Sequence, residues 1–144
     1  MSRIEMLLKE PTKMFLEKLS KITSLKELKI EEINEFAKNL AEKIGKDITT
    51  TQLRKVYGEI KRLQRETFDK KELHMLGPRL AYAFAREEQP VDIYAIFEKC
   101  YPKIGEKKDL DTFAYILEAL VAYHRYEKEL KEKIKRRIEK KEEY

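Results

Sequence analysis

Residues 48–66 read ITTTQLRKVYGEIKRLQRE, and their spacing predicts an α-helix with two opposed faces. At about 100° per residue, Leu53, Val56, Tyr57, Ile60 and Leu63 gather on one side. Arg54, Lys61, Arg62 and Arg65 gather on the other, with Gly58 in the middle of that basic stripe. The apolar side requires cover from other elements. The hydroxyl of Thr49 or Thr50 suits the start of the helix, because it accepts from free N–H groups of the first turn. A glycine in mid-helix costs about 1 kcal/mol relative to alanine. Its place among arginines suggests a surface that something large and anionic approaches closely. An ordinary solvated face with an incidental glycine fits the same spacing, and this helix alone does not choose between the two.

Outward from this stretch the chain reads as helical throughout. The four glycines and four prolines punctuate rather than fill, and no run alternates as a strand does. Arg3 to Ile22 predicts a first helix that Pro11 kinks or splits. Ser24 to Lys29 is a short connector. Glu31 to Ile44 places Ile33, Phe36, Leu40 and Ile44 on one face, with Gly45 as its stop. Beyond the basic helix, Gly77-Pro78 interrupts the pattern, and Pro78 suits the first position of a helix that runs to about Glu87. Pro90 opens a short helix that ends near Pro102 and Gly105. The last helix is expected from Asp109 to the C-terminus, about 54 Å at 1.5 Å per residue. That exceeds what a compact domain of this size holds, so it breaks, projects, or packs on another chain. Its first half (Leu110, Phe113, Ile116, Leu117, Leu120, Val121, Tyr123) is apolar nearly all round and reads as buried. From Lys128 on it is a charged tail with a thin stripe of Leu130, Ile134 and Ile138, read as a solvated face that frays or binds a partner. The fold class is all-α: one compact domain over residues 1–144, a bundle of five or six helices with a long C-terminal helix, residues 128–144 forming its tail.

Composition narrows the function. Charged residues make up 41% of the 144 positions, well above the usual quarter. Lys and Glu dominate them, a pattern of proteins from hot environments that explains the charge without a functional role. The net charge of +5 favours an anionic partner without requiring one. Cys100, the single cysteine, sits among apolar residues and reads as a small core residue. It excludes an internal disulfide and a multi-thiolate metal site within one chain. Glu5, Lys9 and Glu10 interrupt any signal-peptide pattern, and no stretch approaches the ~18 apolar residues of a membrane span. A soluble, cytoplasmic protein is expected, with no membrane partner.

Catalytic chemistry finds little support. His74 and His124 lie far apart, and neither has a metal-ligand spacing with another His or Cys. There is no phosphate-binding glycine loop and no nucleophile motif. No cofactor and no metal is expected. A metal-free ribonuclease using His124 is the remaining catalytic alternative, against a structural role for that histidine. Binding chemistry is better supplied. Arg79 and Arg86 are seven apart and share a face, with Tyr82 close to it. Arginine beside an aromatic holds phosphate and stacks on a base. Tyr123-His124-Arg125-Tyr126 is a second polar–aromatic cluster, where the last helix turns from apolar to charged. The arginines could instead pair with glutamates of neighbouring helices, but for Arg79 and Arg86 nucleic-acid contact is the leading reading. For Tyr123 and Tyr126 core packing is the leading reading.

Three segments carry a resemblance: ITTTQLRKVYGEIKRL (48–63), LGPRLAYAFARE (76–87) and ILEALVAYHRYEK (116–128). Together they resemble the helical small subunit of type III-A CRISPR–Cas effector complexes, the Csm small subunit, over about Ile48 to Glu127. That family has a threonine-capped start, then an L-x-P-(K/R)-L-A-Y-A helix, then a helix ending A-Y-H. Here Leu120 stands between Ala119 and Val121, a departure from the last pattern. No motif of the family matches residues 1–47. The order and spacing of the three are specific together.

The resemblance implies a non-catalytic helical bundle, repeated along an antiviral ribonucleoprotein filament beside other subunits of the type III-A complex. It further implies that basic surfaces line the channel of the guide RNA–target RNA duplex and touch mainly the target strand. Phosphate contacts carry no sequence information, which suits a subunit that accepts any target while pairing reads the sequence. On this reading Arg54, Lys61, Arg62 and Arg65 contact phosphates from one helix and Arg79 and Arg86 from the next, with His124 and Arg125 at the rim. The alternative is a helical oligomerisation module without direct RNA contact. Self-association is expected in either case, and helix exchange between two isolated copies is a low-cost route to a homodimer.

Overall fold

In a computed structural model of the chain, six α-helices carry nearly all the regular structure, and there is no strand among the described residues. The structure describes residues 5–44, 50–87 and 91–142, side chains at 5, 50–52, 80 and 83–87 excepted. The helices are α1 (Glu10–Ser20), α2 (Ile30–Ile44), α3 (Thr50–Arg65), α4 (Lys70–Glu87), α5 (Asp92–Cys100) and α6 (Lys107–Glu142). Short 3₁₀ turns lie at Glu5–Leu7, Leu25–Glu27 and Tyr101–Lys103.

One hydrophobic cluster takes residues from all six helices. Leu53, Val56, Ile60 and Leu63 of α3 are buried in it, as the periodicity requires. So are Ile33, Phe36, Leu40 and Ile44 of α2, and Leu110, Phe113, Ile116, Leu117 and Leu120 of α6. Phe15 of α1 stacks on Phe36 with centroids 4.1 Å apart. Cys100 is wholly buried, and burial pushes its thiol far above the ordinary range. The first half of α6 packs between α2 and α3. Tyr115 donates to Asn34 Oδ1 at 2.8 Å, and Gln64 Nε2 donates to Asp111 Oδ1 at 2.7 Å. The end of α3 thus lies beside the start of α6, and the two run antiparallel.

A buried carboxylate latches this same end of α6. Asp109 is 2% exposed. It accepts from the Ser24 hydroxyl, the Lys26 N–H (2.9 Å), the Gly105 N–H (3.0 Å) and the Glu106 N–H (3.2 Å). Burial alone would raise its pKa; the four hydrogen bonds outweigh that and hold it below the usual carboxylate value. The latch ties the Leu25–Glu27 turn to the first turn of α6.

Two expectations about elements need correction. The first helix does not span Arg3 to Ile22: within the described residues α1 begins at Glu10, with Pro11 in its first turn, where a missing N–H costs nothing. Pro78 does not begin a helix but sits inside α4. The apolar spacing of Leu73, Leu76 and Leu80 continues across Gly77-Pro78 without a change of phase. The buried Leu73 and Leu76 secure the turn that precedes the proline. The Ser24–Lys29 connector carries the 3₁₀ turn described above. Gly45, Thr49 and Pro90, read as stop, cap and start signals, lie outside the described residues.

The last helix neither breaks nor bends back. It continues to Glu142 as one element, and its last buried residue is His124. From there it rises about 27 Å further, and residues 131–142 are exposed throughout. No helix among the described residues is long and apolar enough to cross a membrane.

Candidate nucleic-acid interface

With its apolar face committed to the core, α3 exposes the opposite face, and the bundle splits that face into two flanks. One flank looks toward α4. There Arg62 Nη2 lies 3.3 Å from Glu59 Oε2 and 3.8 Å from Glu72 Oε2, while its Nη1 lies 3.3 Å from Glu66 Oε1. Arg79 Nη1 of α4 lies 4.0 Å from the same Glu59 oxygen. The Glu59 hydrogen bond heads the causes that raise the Arg62 pKa still further. Two cations meet three carboxylates, so this flank is not cationic in the free chain. For Arg62 and Arg79 the reading as partners of glutamates holds, and a phosphate would have to displace those carboxylates. Tyr82, one turn beyond Arg79, is exposed. The side chain of Arg86 lies outside the described residues.

The other flank holds Arg54, Gly58, Lys61 and Arg65. Arg54 and Arg65 are exposed and Lys61 is half-buried. Among the described residues none of the three makes an ion pair. The Lys61 ammonium stands 5.9 Å from the Tyr57 ring centroid, a contact of cation–π type. A methyl group at position 58 would meet no neighbouring atom within 4 Å. Nothing among the described residues requires glycine there, so its helix cost has no compensation among them.

Beside this stripe, α3 and α6 enclose an open groove of about 670 Å³. Arg54 and Tyr57 line it from α3; Glu118, Val121, Ala122, Arg125, Tyr126 and Glu129 line it from α6. Burial and the nearby Glu118 charge raise the Tyr57 pKa, in that order, so its hydroxyl is a protonated donor at neutral pH. Arg125 Nε donates to Glu129 Oε1 at 3.0 Å. The groove therefore offers guanidinium, phenol and apolar surface together, tempered by two carboxylates.

Two rim expectations change. His124 is 4% exposed and does not lie at the rim. It follows Leu117 by seven and Leu120 by four, so it shares their buried face, a spacing that was legible beforehand. Buried there, it is out of reach for an RNA phosphate and for a ribose hydroxyl awaiting a general base. Tyr126, assigned to the core, is 52% exposed and lines the groove; Tyr123 does pack against the core. Arg125 and Tyr126 stand at the groove in place of His124. Sequence reasoning missed the groove itself, because it depends on which turns of α3 and α6 meet.

A second cavity, about 690 Å³, lies between α4 and α5 with Leu8 and Leu16 on its edge. It holds no cluster of basic groups: His74 Nδ1 is engaged with the Tyr101 hydroxyl, and the Tyr94 hydroxyl donates to Glu98.

No curated protein and no solved structure matches the chain. A family model described as Csm2 Type III-A matches residues 27–130. The match takes in α2 as well as the three segments from α3, α4 and α6 that carried the resemblance. It leaves out α1 and the last twelve described residues of α6. With well over half of its length matched, the chain belongs to the Csm2 type III-A family and is a subunit of the type III-A CRISPR–Cas complex.

Proposed function

We propose that this chain is a non-catalytic, RNA-binding structural subunit of the interference complex. It lines the guide RNA–target RNA channel and contacts target-strand phosphates. The observation that carries the reading is the open flank of α3. Arg54, Lys61 and Arg65 have no carboxylate partner there among the described residues, and Gly58 between them is bare. Arginine's planar fork donates two parallel hydrogen bonds to a phosphate, and a missing side chain lets a backbone come close. Arg125 and Tyr126 extend the surface across the groove. Arg62 and Arg79 belong to the proposal only as residues that RNA would have to draw away from local carboxylates, and Arg86, whose side chain lies outside the described residues, joins them by its spacing on α4 alone.

Filter binding to RNA of several unrelated sequences tests it. Arg54→Ala with Arg65→Ala should weaken binding to all of them alike and flatten its salt dependence. Since a few contacts per copy give modest affinity, the assembled complex is the more sensitive preparation. Unchanged binding and an unchanged salt slope there would overturn the reading.

A helical interaction module is the second reading, and one observation favours it. Ile134 and Ile138 are 51% and 52% exposed. Both continue the face of α6 that Phe113, Ile116 and Leu120 present to the core. Association with a second copy, including exchange of α6, would cover them. Light scattering on the chain cut after Tyr126 tests this: loss of a dimer locates association in the tail, whereas a monomer before the cut ends the reading.

A further inference from the structure

Beyond residue 130, where the family match ends, five of the seven described cations of α6 gather on one side of the helix, with Lys131 and Lys135 on the other. Lys133, Arg136, Arg137, Lys140 and Lys141 occupy positions i, i+3, i+4, i+7 and i+8. At 100° per residue this is one face of the helix. The carboxylates of the same turns, Glu132, Glu139 and Glu142, lie off that face. Among the described residues the stripe's ion pairing is limited to Arg136, 3.9 Å from Glu132. A face that only kept the tail solvated would interleave both signs, as the preceding turns do with Glu127, Lys128, Glu129, Lys131 and Glu132.

The stripe is also continuous with the groove. Glu118, Ala122, Arg125 and Glu129 line the groove at spacings of four, three and four. Lys133, Arg136 and Lys140 continue that row by four, three and four on one unbroken helix. The two surfaces are successive segments of one side of α6.

From this geometry we infer that the distal half of α6 is a second polynucleotide-contacting surface. It is a basic arm that carries the phosphate path from the α3–α6 groove about 20 Å beyond the bundle. The inference rests on the proposed RNA-binding reading for the direction of the path, but not for the arm's own affinity. Five cations within about 12 Å of helix match the dense, regular charge of a phosphate backbone. A membrane-surface helix needs a broad apolar face. Among the described residues past Leu130, Ile134 and Ile138 are the only apolar ones, and the remaining surface is charged.

The test uses full-length chain, a labelled mixed-sequence single-stranded RNA, and anisotropy over a range of salt. Replacing all five cations by glutamine should lower affinity at least tenfold at low salt. It should also flatten the slope of log K against log salt by about 2 to 3.5, at ~0.7 per lost phosphate contact. A second variant, Arg137→Glu with Glu139→Arg, keeps composition and net charge but breaks the stripe. It should lose a substantial part of the same affinity. If it binds as the parent does, net charge alone acts and the stripe is overturned.

The Arg54→Ala, Arg65→Ala variant separates the two claims. Loss there with no loss in the five-glutamine variant removes the arm and keeps the groove. Loss in the five-glutamine variant alone keeps the arm and removes the groove. Vesicles of phosphatidylserine and phosphatidylcholine serve as the other polyanion. Arm-dependent binding to them, without arm-dependent RNA binding, overturns the inference in favour of a lipid surface.

Discussion

The two flanks of α3 carry the same kinds of cation and differ in what answers them. Toward α4, Arg62 and Arg79 stand among Glu59, Glu66 and Glu72. Away from α4, Arg54, Lys61 and Arg65 make no ion pair among the described residues, although Glu118 and Glu129 line the groove beside Arg54, and Gly58 between them carries no side chain. Charge count does not separate these surfaces; local compensation does. Exposed pairs such as those of Arg62 contribute little to stability and are screened by salt. Their effect is on binding, because each glutamate there repels a phosphate that the arginine would attract.

This contrast can be broken or sharpened by mutation. The largest effect belongs to the Asp109 latch at the start of α6, the helix on which α3 packs. Asp109→Ala removes the acceptor of four hydrogen bonds and should cost about 3 kcal/mol at neutral pH, read as a lower urea midpoint. If the midpoint is unchanged, the latch contributes nothing to the bundle that holds the flanks apart. The sign of its pH dependence follows from the lowered pKa. The contribution is complete above the unfolded value, about 3.9, and is lost as pH falls through the lower folded value. The stability gap between parent and variant should therefore begin to narrow as pH falls below about 4.

Next in size is the open flank, where Arg54→Ala with Arg65→Ala should reduce RNA affinity on the order of tenfold. Gly58→Ala sharpens the comparison from the other side. It should stabilise the free chain by about 0.5–1 kcal/mol, since helix propensity improves and no neighbour is crowded. It should also weaken RNA binding, since a methyl group then stands where a backbone approaches. Stabilisation without weaker binding would make the glycine incidental. The smallest effect is expected from Arg62→Ala with Arg79→Ala, less than about threefold in RNA affinity, because those cations are already answered.

Periodicity carried the fold well where one face of a helix is plainly apolar. The inward faces of α2, α3 and the first half of α6 were legible residue by residue. It failed where a breaker residue was weighed above the pattern around it. Pro78 suggested a start, yet the apolar spacing on either side of it keeps one phase, and α4 passes through. In the interface, the opposed faces of α3 and the bare Gly58 were legible. The compensation of Arg62 and Arg79 was not, because Glu72 and Arg79 come from another helix and the angle of α4 against α3 is a tertiary fact. His124 and Tyr126 exchanged places for a similar reason. Chemical type suggested an exposed histidine and a buried tyrosine, while their phase on α6 dictates the opposite. The tail's one-sided charge was present in the spacing but was hidden by its composition, which resembles any solvated Lys–Glu run.

The most direct test of the account is a salt titration of RNA binding by the assembled complex. It compares Arg54→Ala with Arg65→Ala against Arg62→Ala with Arg79→Ala, two changes identical in charge lost. The account predicts that the first pair flattens the slope of log K against log salt by about 1.4, and that the second leaves it within error of the parent. Equal slopes for the two pairs, or a larger change from the second, would contradict it.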